Sequence, residues 1–522
     1  MTRLLRAAGS ISFFTLLSRL LGLFRDRLMA QALGAGWVQG TFLLAWTLPN
    51  LMRRLLGEGA LSASFVPAYT AARKRGDAEA RALLAEVSGT VTMLLLPLCV
   101  GVAILSLVVP AEWLPAPERG GVPAMRLLLA LNAVLFAYAL PVCLTAVFAG
   151  ALNTLGHFAL PAAVPILLNL FWIAALLLAG PCGYTVDVEI ANFAAWWLIA
   201  GGFLQLLFVM VPLWRRGELL PPRLGMPRRG TPAFAVFAAM GPMVLGMSLN
   251  QISSLLDTLM AYYLVSPGAV TYVYLANRLL LFPHALTAMP LGIAAFPRLA
   301  LEATATDRAG LRATLDNAAA GTILVTLPAA CGLIVLADDI VRVLFLGGQF
   351  VDSDVWPTVL TTSCLVAGLP FLGLAQLQAR AFYAVGNAAA PARLAVWLVL
   401  ANALLNLLLL ATTDLGTAGL ALASSLSSVG NAAVLAWLFR RHAAPAAGRR
   451  LLSTWLRAGI ATAVMCGVLP LLRVVGPDGR AWQKALGNVA LPIAAGMVVY
   501  LLVHVLLRSP ELATLRRRRA GR

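Results

Sequence analysis

The sequence is short of charge. Of 522 residues only 11% are Asp, Glu, Lys or Arg, where a soluble globular protein carries about 25%. With 61% hydrophobic residues and a mean hydropathy of +0.87, that shortage excludes a soluble globular enzyme and a disordered chain. Acids are scarcer than bases, 21 against 39, leaving a net charge of +18. Lysine is nearly missing: Lys74 and Lys484 are the only two, and arginine carries the positive charge. The six cysteines (Cys99, Cys143, Cys182, Cys331, Cys364, Cys466) form no C-x-x-C pair, which excludes a disulfide scaffold and a thiolate metal site. All but Cys182 fall within apolar runs and read as small core residues. The four histidines are scattered, with no H-E-x-x-H and no phosphate-binding G-x-x-x-x-G-K-[ST]. No polar domain is long enough to bind ATP, so any work done must draw on an ion gradient, the membrane potential or a substrate gradient. Nor is there a polar surface on which +18 could form a nucleic-acid patch.

What the chain does have is long apolar runs. They lie at about 9–33, 37–71, 84–110, 122–150, 158–180, 190–214, 233–265, 268–298, 312–337, 355–384, 390–412, 415–439, 452–474 and 484–508. A helix needs about 20 apolar residues to cross the hydrocarbon core, and the runs lack the period-two alternation of a membrane strand. The expected fold is an all-α polytopic membrane protein with about 14 transmembrane helices. Arg3 and Arg6 before the first run imitate a signal peptide. However, Arg19, Arg25 and Asp26 interrupt that run and no A-x-A site follows, so it reads as an uncleaved first helix.

An even number of crossings puts both termini on one side. Among the connections and tails, only Arg119, Arg342, Arg473, Arg480 and Lys484 fall on the other side, beside acids such as Glu112, Asp187, Asp338, Asp352 and Asp414. The remaining loop and tail cations all share the side of the termini, which the positive-inside rule makes cytoplasmic. The Arg516–Arg519 tail fits an anchor on anionic lipid.

A weak repeat runs through the chain. Asp26-Arg27-Leu28-Met29-Ala30 recurs as Asp257-Thr258-Leu259-Met260-Ala261, and Phe65 with Pro67 recurs as Phe296 with Pro297. Gly156, Pro161 and Ala162 recur as Gly386, Pro391 and Ala392. A shared offset near 230 residues spans six helices, as in transporters with parallel repeats. The expected organisation is two pseudo-symmetric six-helix lobes, 1–230 and 231–450, and two further helices in 451–522.

Charges inside the runs mark the function. An arginine at a helix centre costs about 2.5–3.5 kcal/mol unless it faces water or a partner. Arg19, Arg25 and Asp26 lie in the first run, Arg53, Arg54 and Glu58 in the second, and Arg278 in the eighth. Arg19, Gly22 and Asp26 follow i, i+3, i+7, and Asn50, Arg54 and Glu58 follow i, i+4, i+8, so each set shares a helix face. Pro49 kinks the second helix. Guanidinium forks bind phosphate bidentately and hold their charge, so a basic interior suits an anionic, phosphate-bearing substrate. The alternative for Arg25–Asp26 and Arg54–Glu58 is an internal pair that fixes packing. Asp257, near Gln251, Ser253 and Ser254, and the i, i+4 pair Asn402 and Asn406 offer oxygen ligands for a cation or a proton site. The alternative there is an interhelical hydrogen-bond cluster.

The stretch Ser18-Arg19-x-x-Gly22-x-x-Arg25-Asp26, with Gly34-Ala35, Pro49-Asn50, Arg53-Arg54, Glu58-Gly59-Ala60 and Phe65-Val66-Pro67, resembles the MurJ (MviN) family. So do Ala276-Asn277-Arg278-Leu279 and the segment from Phe382-Tyr383-Ala384 to Pro391. The resemblance spans the whole chain and places it in the multidrug/oligosaccharidyl-lipid/polysaccharide (MOP) exporter superfamily. It implies a bacterial inner-membrane flippase, not an enzyme, that moves lipid II (undecaprenyl-diphosphate disaccharide-pentapeptide) outward for peptidoglycan synthesis by alternating access. It implies that Arg19, Arg25, Arg53 and Arg278 hold the diphosphate, with Asp26, Asn50, Arg54 and Glu58 beside them. It also implies no cofactor, a sodium site at Asp257, Asn402 and Asn406, coupling to Na+, H+ or the membrane potential, and membrane lipids and other cell-wall synthesis proteins as partners. The chain departs from the family pattern at Gly40, where many members have an acid, and at Asn277 and Leu281. The competing functions are a flippase for another polyprenyl-diphosphate glycan, a multidrug exporter, which would need acids in the N-terminal cavity, and a membrane enzyme or scaffold.

Overall fold

In lipid every backbone N–H and C=O must be paired within the protein, and the apolar runs fold accordingly as helices. A computed structural model describes residues 2–304, 309–442, 448–472 and 481–510. Among these the only extended pairing is a single bridge, Gly347 with Phe350. The long helical runs are α1 Thr2–Leu33, α2 37–75, α3 Asp77–Val108, α4 Gly121–Thr154, α5 Ala159–Ala179, α6 Asp187–Trp214 and α7 232–265. They continue with α8 Ala269–Ala303, α9 Ala309–Val335, α10 Asp352–Ala384, α11 Ala389–Thr412, α12 Thr417–Phe439, α13 448–472 and α14 481–506. Eleven of the described helices are long and apolar enough to cross a membrane, so the chain is a multi-pass membrane protein. The other three long runs are α1, α2 and α7, which carry Arg19, Arg25, Arg53, Arg54 and the polar stretch Gln251 to Asp257.

The helices gather into two compact units, Met1–Thr271 with Gly347–Phe350, and Tyr272–Leu346 with Val351–Arg522. The packing boundary thus falls after Thr271, beyond the repeat boundary at 230, because α7 packs on α2 within the first unit. Two side-chain contacts join them: Thr41 Oγ1 lies 2.8 Å from Tyr262 Oη, and Arg54 reaches Gln251. The six-helix repeat describes the sequence; the packing unit is a different grouping of the same helices.

In the first unit α1 packs along α5, and α5 along α6. After α6 the chain does not leave the unit. It runs back as a strap on α3: Arg223 N–H donates to Ala85 O at 3.0 Å, and Thr90 Oγ1 donates to Gly225 O at 3.0 Å. Gly89 makes this approach possible, since a Cβ there would collide with the Arg223 backbone. At the strap's start Arg73 of α2 pairs with Glu218 at 2.6 Å. That bond raises the Arg73 guanidinium above its ordinary pKa. In the second unit Leu299, Leu311, Leu315, Leu377, Phe382, Leu435 and Phe439 form a core joining α8, α9, α10 and α12. The Arg516–Arg519 tail lies outside the described residues.

Candidate functional site

The polar residues of α1 divide into two groups. Arg19 is exposed, whereas Arg25 and Asp26, two turns on, are 6% and 1% exposed. The reason is α5. Asn169 of α5 lies over the Gly22 position of α1, near enough that even an added Cβ there would touch it only at 3.9 Å. Asn169 Nδ2 donates to the Ser18 carbonyl at 3.0 Å, and its Oδ1 accepts from Arg25 Nη1 at 3.0 Å. Arg25 also donates from Nε and Nη2 to Asp26 Oδ1, at 3.0 and 2.6 Å. Its guanidinium carbon sits 4.3 Å from the centre of the Trp172 ring, a cation–π contact strengthened by desolvation. Trp172 in turn meets Trp46 at 5.3 Å and Phe42 at 5.6 Å. Arg25 and Asp26 therefore form the internal pair, enclosed by an amide and an aromatic wall.

The α2 arginines are presented differently. Pro49 removes one backbone donor, and the residues just beyond it, Arg53–Ala60, adopt a π-helical turn. Such wide turns are rare and concentrate at functional sites. Arg53 joins Asn50, donating from Nε and Nη2 to Asn50 Oδ1 at 3.1 and 2.9 Å. Arg54 is exposed and donates to Gln251 Oε1 of α7 at 3.3 Å. The Asn50 and Gln251 amide oxygens fix the direction of the two guanidinium groups. The Glu58 side chain lies outside the described residues.

Arg278 belongs to the second unit. It is half-buried on α8, donates from Nη2 to Tyr274 Oη at 2.7 Å, and lies 4.9 Å from that ring's centre. Asp257 is half-buried on α7 in the first unit. Asn402 and Asn406 of α11, in the second, are 5% and 0% exposed, and Asn402 Oδ1 accepts from Ser427 Oγ at 3.0 Å. Among the described residues no three His, Cys, Asp or Glu side chains group as metal ligands.

Two features escape sequence reasoning. Asn169 was legible in principle, as the lone amide in the otherwise apolar 159–179 run, where such a residue marks a buried partner. Gly40 has a packing reason. A Cβ at that position would strike the Pro267 carbonyl, and one at Gly268 would strike that of Ala35. The backbones of α2 and the 266–268 turn meet there, leaving no room for an acid. Gly40→Asp is expected to lower the unfolding temperature in detergent, since overpacking costs about 1–3 kcal/mol. An unchanged thermal melt would show that the turn moves aside freely.

The family model for lipid II flippase MurJ matches residues 29–480. The probable lipid II flippase MurJ of Vibrio cholerae is 30% identical over 525 residues, covering 98% of both chains. The lipid II flippase MurJ of Burkholderia cenocepacia is 31% identical over 444 residues, covering 83% of both. Among solved structures, a lipid II flippase MurJ in an inward closed conformation aligns with a TM-score of 0.76 at 22% identity, covering 95% of this chain and 98% of that one. An inward-facing multidrug resistance MATE transporter of the MOP superfamily aligns at 0.63 and 16% identity, covering 81% and 94%. At those identities the structural likenesses establish a shared fold; the sequence matches, which run nearly end to end, establish that the chain belongs to the MurJ lipid II flippase family.

Proposed function

We propose that this chain flips lipid II from the cytoplasmic to the outer leaflet of a bacterial inner membrane, for peptidoglycan synthesis. The family is one of lipid transporters, not enzymes. The observation that carries the reading to this chain is the presentation of Arg53 and Arg54 from a π turn, steered by the amides of Asn50 and Gln251. Together with exposed Arg19 they offer guanidinium forks suited to a diphosphate. Arg278, in the second unit, is a separate candidate with the same guanidinium chemistry. Arg25 and Asp26 support the site by fixing α1 on α5. Transport follows alternating exposure of the site to the two membrane faces, with both termini cytoplasmic as the loop charges require. The chain carries no nucleotide-binding motif, so we assign the driving force to the membrane potential or a coupled ion. Asp257 in the first unit and the Asn402 and Asn406 pair in the second are each candidate oxygen ligands for Na+. Other cell-wall synthesis proteins are proposed partners.

A second glycan-lipid substrate shares the diphosphate, so the test compares headgroups. Purified protein is expected to bind lipid II at least tenfold more tightly, about 1.4 kcal/mol, than undecaprenyl diphosphate bearing an unrelated glycan. Equal affinity would overturn lipid II as the specific substrate.

A further inference from the structure

The strap between α6 and α7 carries a surface that the diphosphate site does not use. It rises along α3 within the first unit. Arg81 Nη1 donates to Gly217 O at 3.3 Å, Arg223 N–H to Ala85 O at 3.0 Å, and Thr90 Oγ1 to Gly225 O at 3.0 Å. The apolar run of α3 begins at residue 84, so Thr90 stands six residues, about 9 Å, inside it. Interfacial segments sink roughly 5–10 Å into the boundary between headgroups and acyl chains. The tip of the strap therefore lies at that boundary.

Its side chains suit the position. Leu224 and Met226, on either side of Gly225, are 68% and 61% exposed, and Trp214 at the end of α6 is exposed as well. Bare apolar side chains gathered on a short connection mark a contact surface, and tryptophan concentrates at membrane interfaces. Interleaved with them are Arg215, Arg216, Arg223, Arg228 and Arg229, all exposed. Glu218, the one acid of the 214–231 stretch, is buried and taken by Arg73. Glu86 of α3 approaches Arg223 only at 3.5 Å, in an exposed pair of a kind that contributes little. The strap thus presents surplus guanidinium charge at headgroup depth. α3 supplies the rest of the shape. It is buried from Leu83 to Val91 apart from half-buried Glu86, and beyond the strap's tip Met93, Leu94 and Leu98 are exposed. Cations followed by a bare apolar length of helix match the two halves of a phospholipid.

We propose that the strap binds an anionic phospholipid, its phosphate on Arg223, Arg228 and Arg229 and an acyl chain along α3 past Met93 and Leu94. Guanidinium forks fit phosphate oxygens, and clustered cations at the membrane surface favour anionic over zwitterionic lipid. Leu224 and Met226 sink among the chains and hold the strap in the interface. The site uses none of the arginines assigned to lipid II, and it does not depend on which leaflet the strap faces.

The test titrates the purified full-length protein with phosphatidylglycerol or phosphatidylcholine and counts bound lipid by native mass spectrometry. The first phosphatidylglycerol is expected to bind about tenfold more tightly than the first phosphatidylcholine. The triple variant R223Q/R228Q/R229Q is expected to lose that preference while binding lipid II like the wild type. An unchanged preference in the triple variant, or none in the wild type, would overturn the proposal. So would displacement of the lipid by an excess of inorganic phosphate, which would mark a site for the free anion only. A local reading on the wild-type strap covers a triple variant that fails to fold. In nanodiscs, phosphatidylglycerol with brominated chains is expected to quench Trp214 more than brominated phosphatidylcholine at the same mole fraction. The Trp214 signal is taken as the difference between wild type and Trp214→Phe. Equal quenching by the two lipids would contradict a preference for the anionic headgroup.

Discussion

Arg53→Ala abolishes the chain's ability to support growth of a bacterium depleted of its own lipid II flippase, while membrane abundance stays at the wild-type level. Arg19→Ala and Arg278→Ala are expected to do the same. Arg53 is half-buried and donates to Asn50 Oδ1 at the start of the π turn, and on the proposed reading truncating it removes a phosphate ligand. A hydrogen bond to a charged group is worth about 1.5–3 kcal/mol, or roughly a tenfold to hundredfold loss of lipid II affinity per arginine. Arg53→Lys keeps the charge but loses the fork, and should fall between wild type and alanine. Normal growth of all three alanine variants would remove the arginines from the substrate site.

Asp26→Ala has the opposite signature. It leaves the Arg25 guanidinium 6% exposed without the carboxylate it donates to twice. Breaking a buried pair on one side costs about 3–5 kcal/mol, a large share of a domain's net stability. The expected result is a sharp drop in membrane abundance and in the temperature at which the detergent-solubilised protein aggregates. Asn169→Ala should be milder, about 1–3 kcal/mol for the unsatisfied groups it leaves, because Asp26 and Trp172 still enclose the guanidinium. Thermal unfolding followed by size-exclusion fluorescence checks both. If Asp26→Ala melted like wild type yet lost lipid II binding, the pair would belong to the substrate site instead.

These opposite expectations for two neighbouring arginine clusters show what the sequence could reveal. Charges in apolar runs identified Arg19, Arg25, Arg53, Arg54 and Arg278 at once, because hydrocarbon tolerates them so poorly. Their division into a buried pair, Arg25 with Asp26, and a less buried set was hidden. It depends on Asn169 and Trp172, which meet Arg25 only after α5 docks on α1 some 144 residues later in the chain. The π turn was hidden too: Gly57 and Gly59 within Arg53–Ala60 permit a departure from the α-helix without specifying which one. The helical runs were legible because membrane helices announce themselves by length and apolarity. The packing of α7 with the first unit was not, since a repeat records sequence similarity and says nothing of which neighbour a helix chooses. Gly40 looked like a lost acid; its cause is the Pro267 carbonyl above it, on a turn 227 residues away.

The central claim concerns movement of lipid II between leaflets, and leaflet position can be read directly. Cells depleted of their own flippase and expressing this chain are treated with a membrane-impermeant enzyme that cleaves lipid II from outside. The wild-type chain is expected to restore cleavage, and Arg53→Ala at equal abundance is expected to leave lipid II protected. Lipid II that stays protected with the wild-type chain present in the membrane would contradict the account, as would an Arg53→Ala chain that restores cleavage fully.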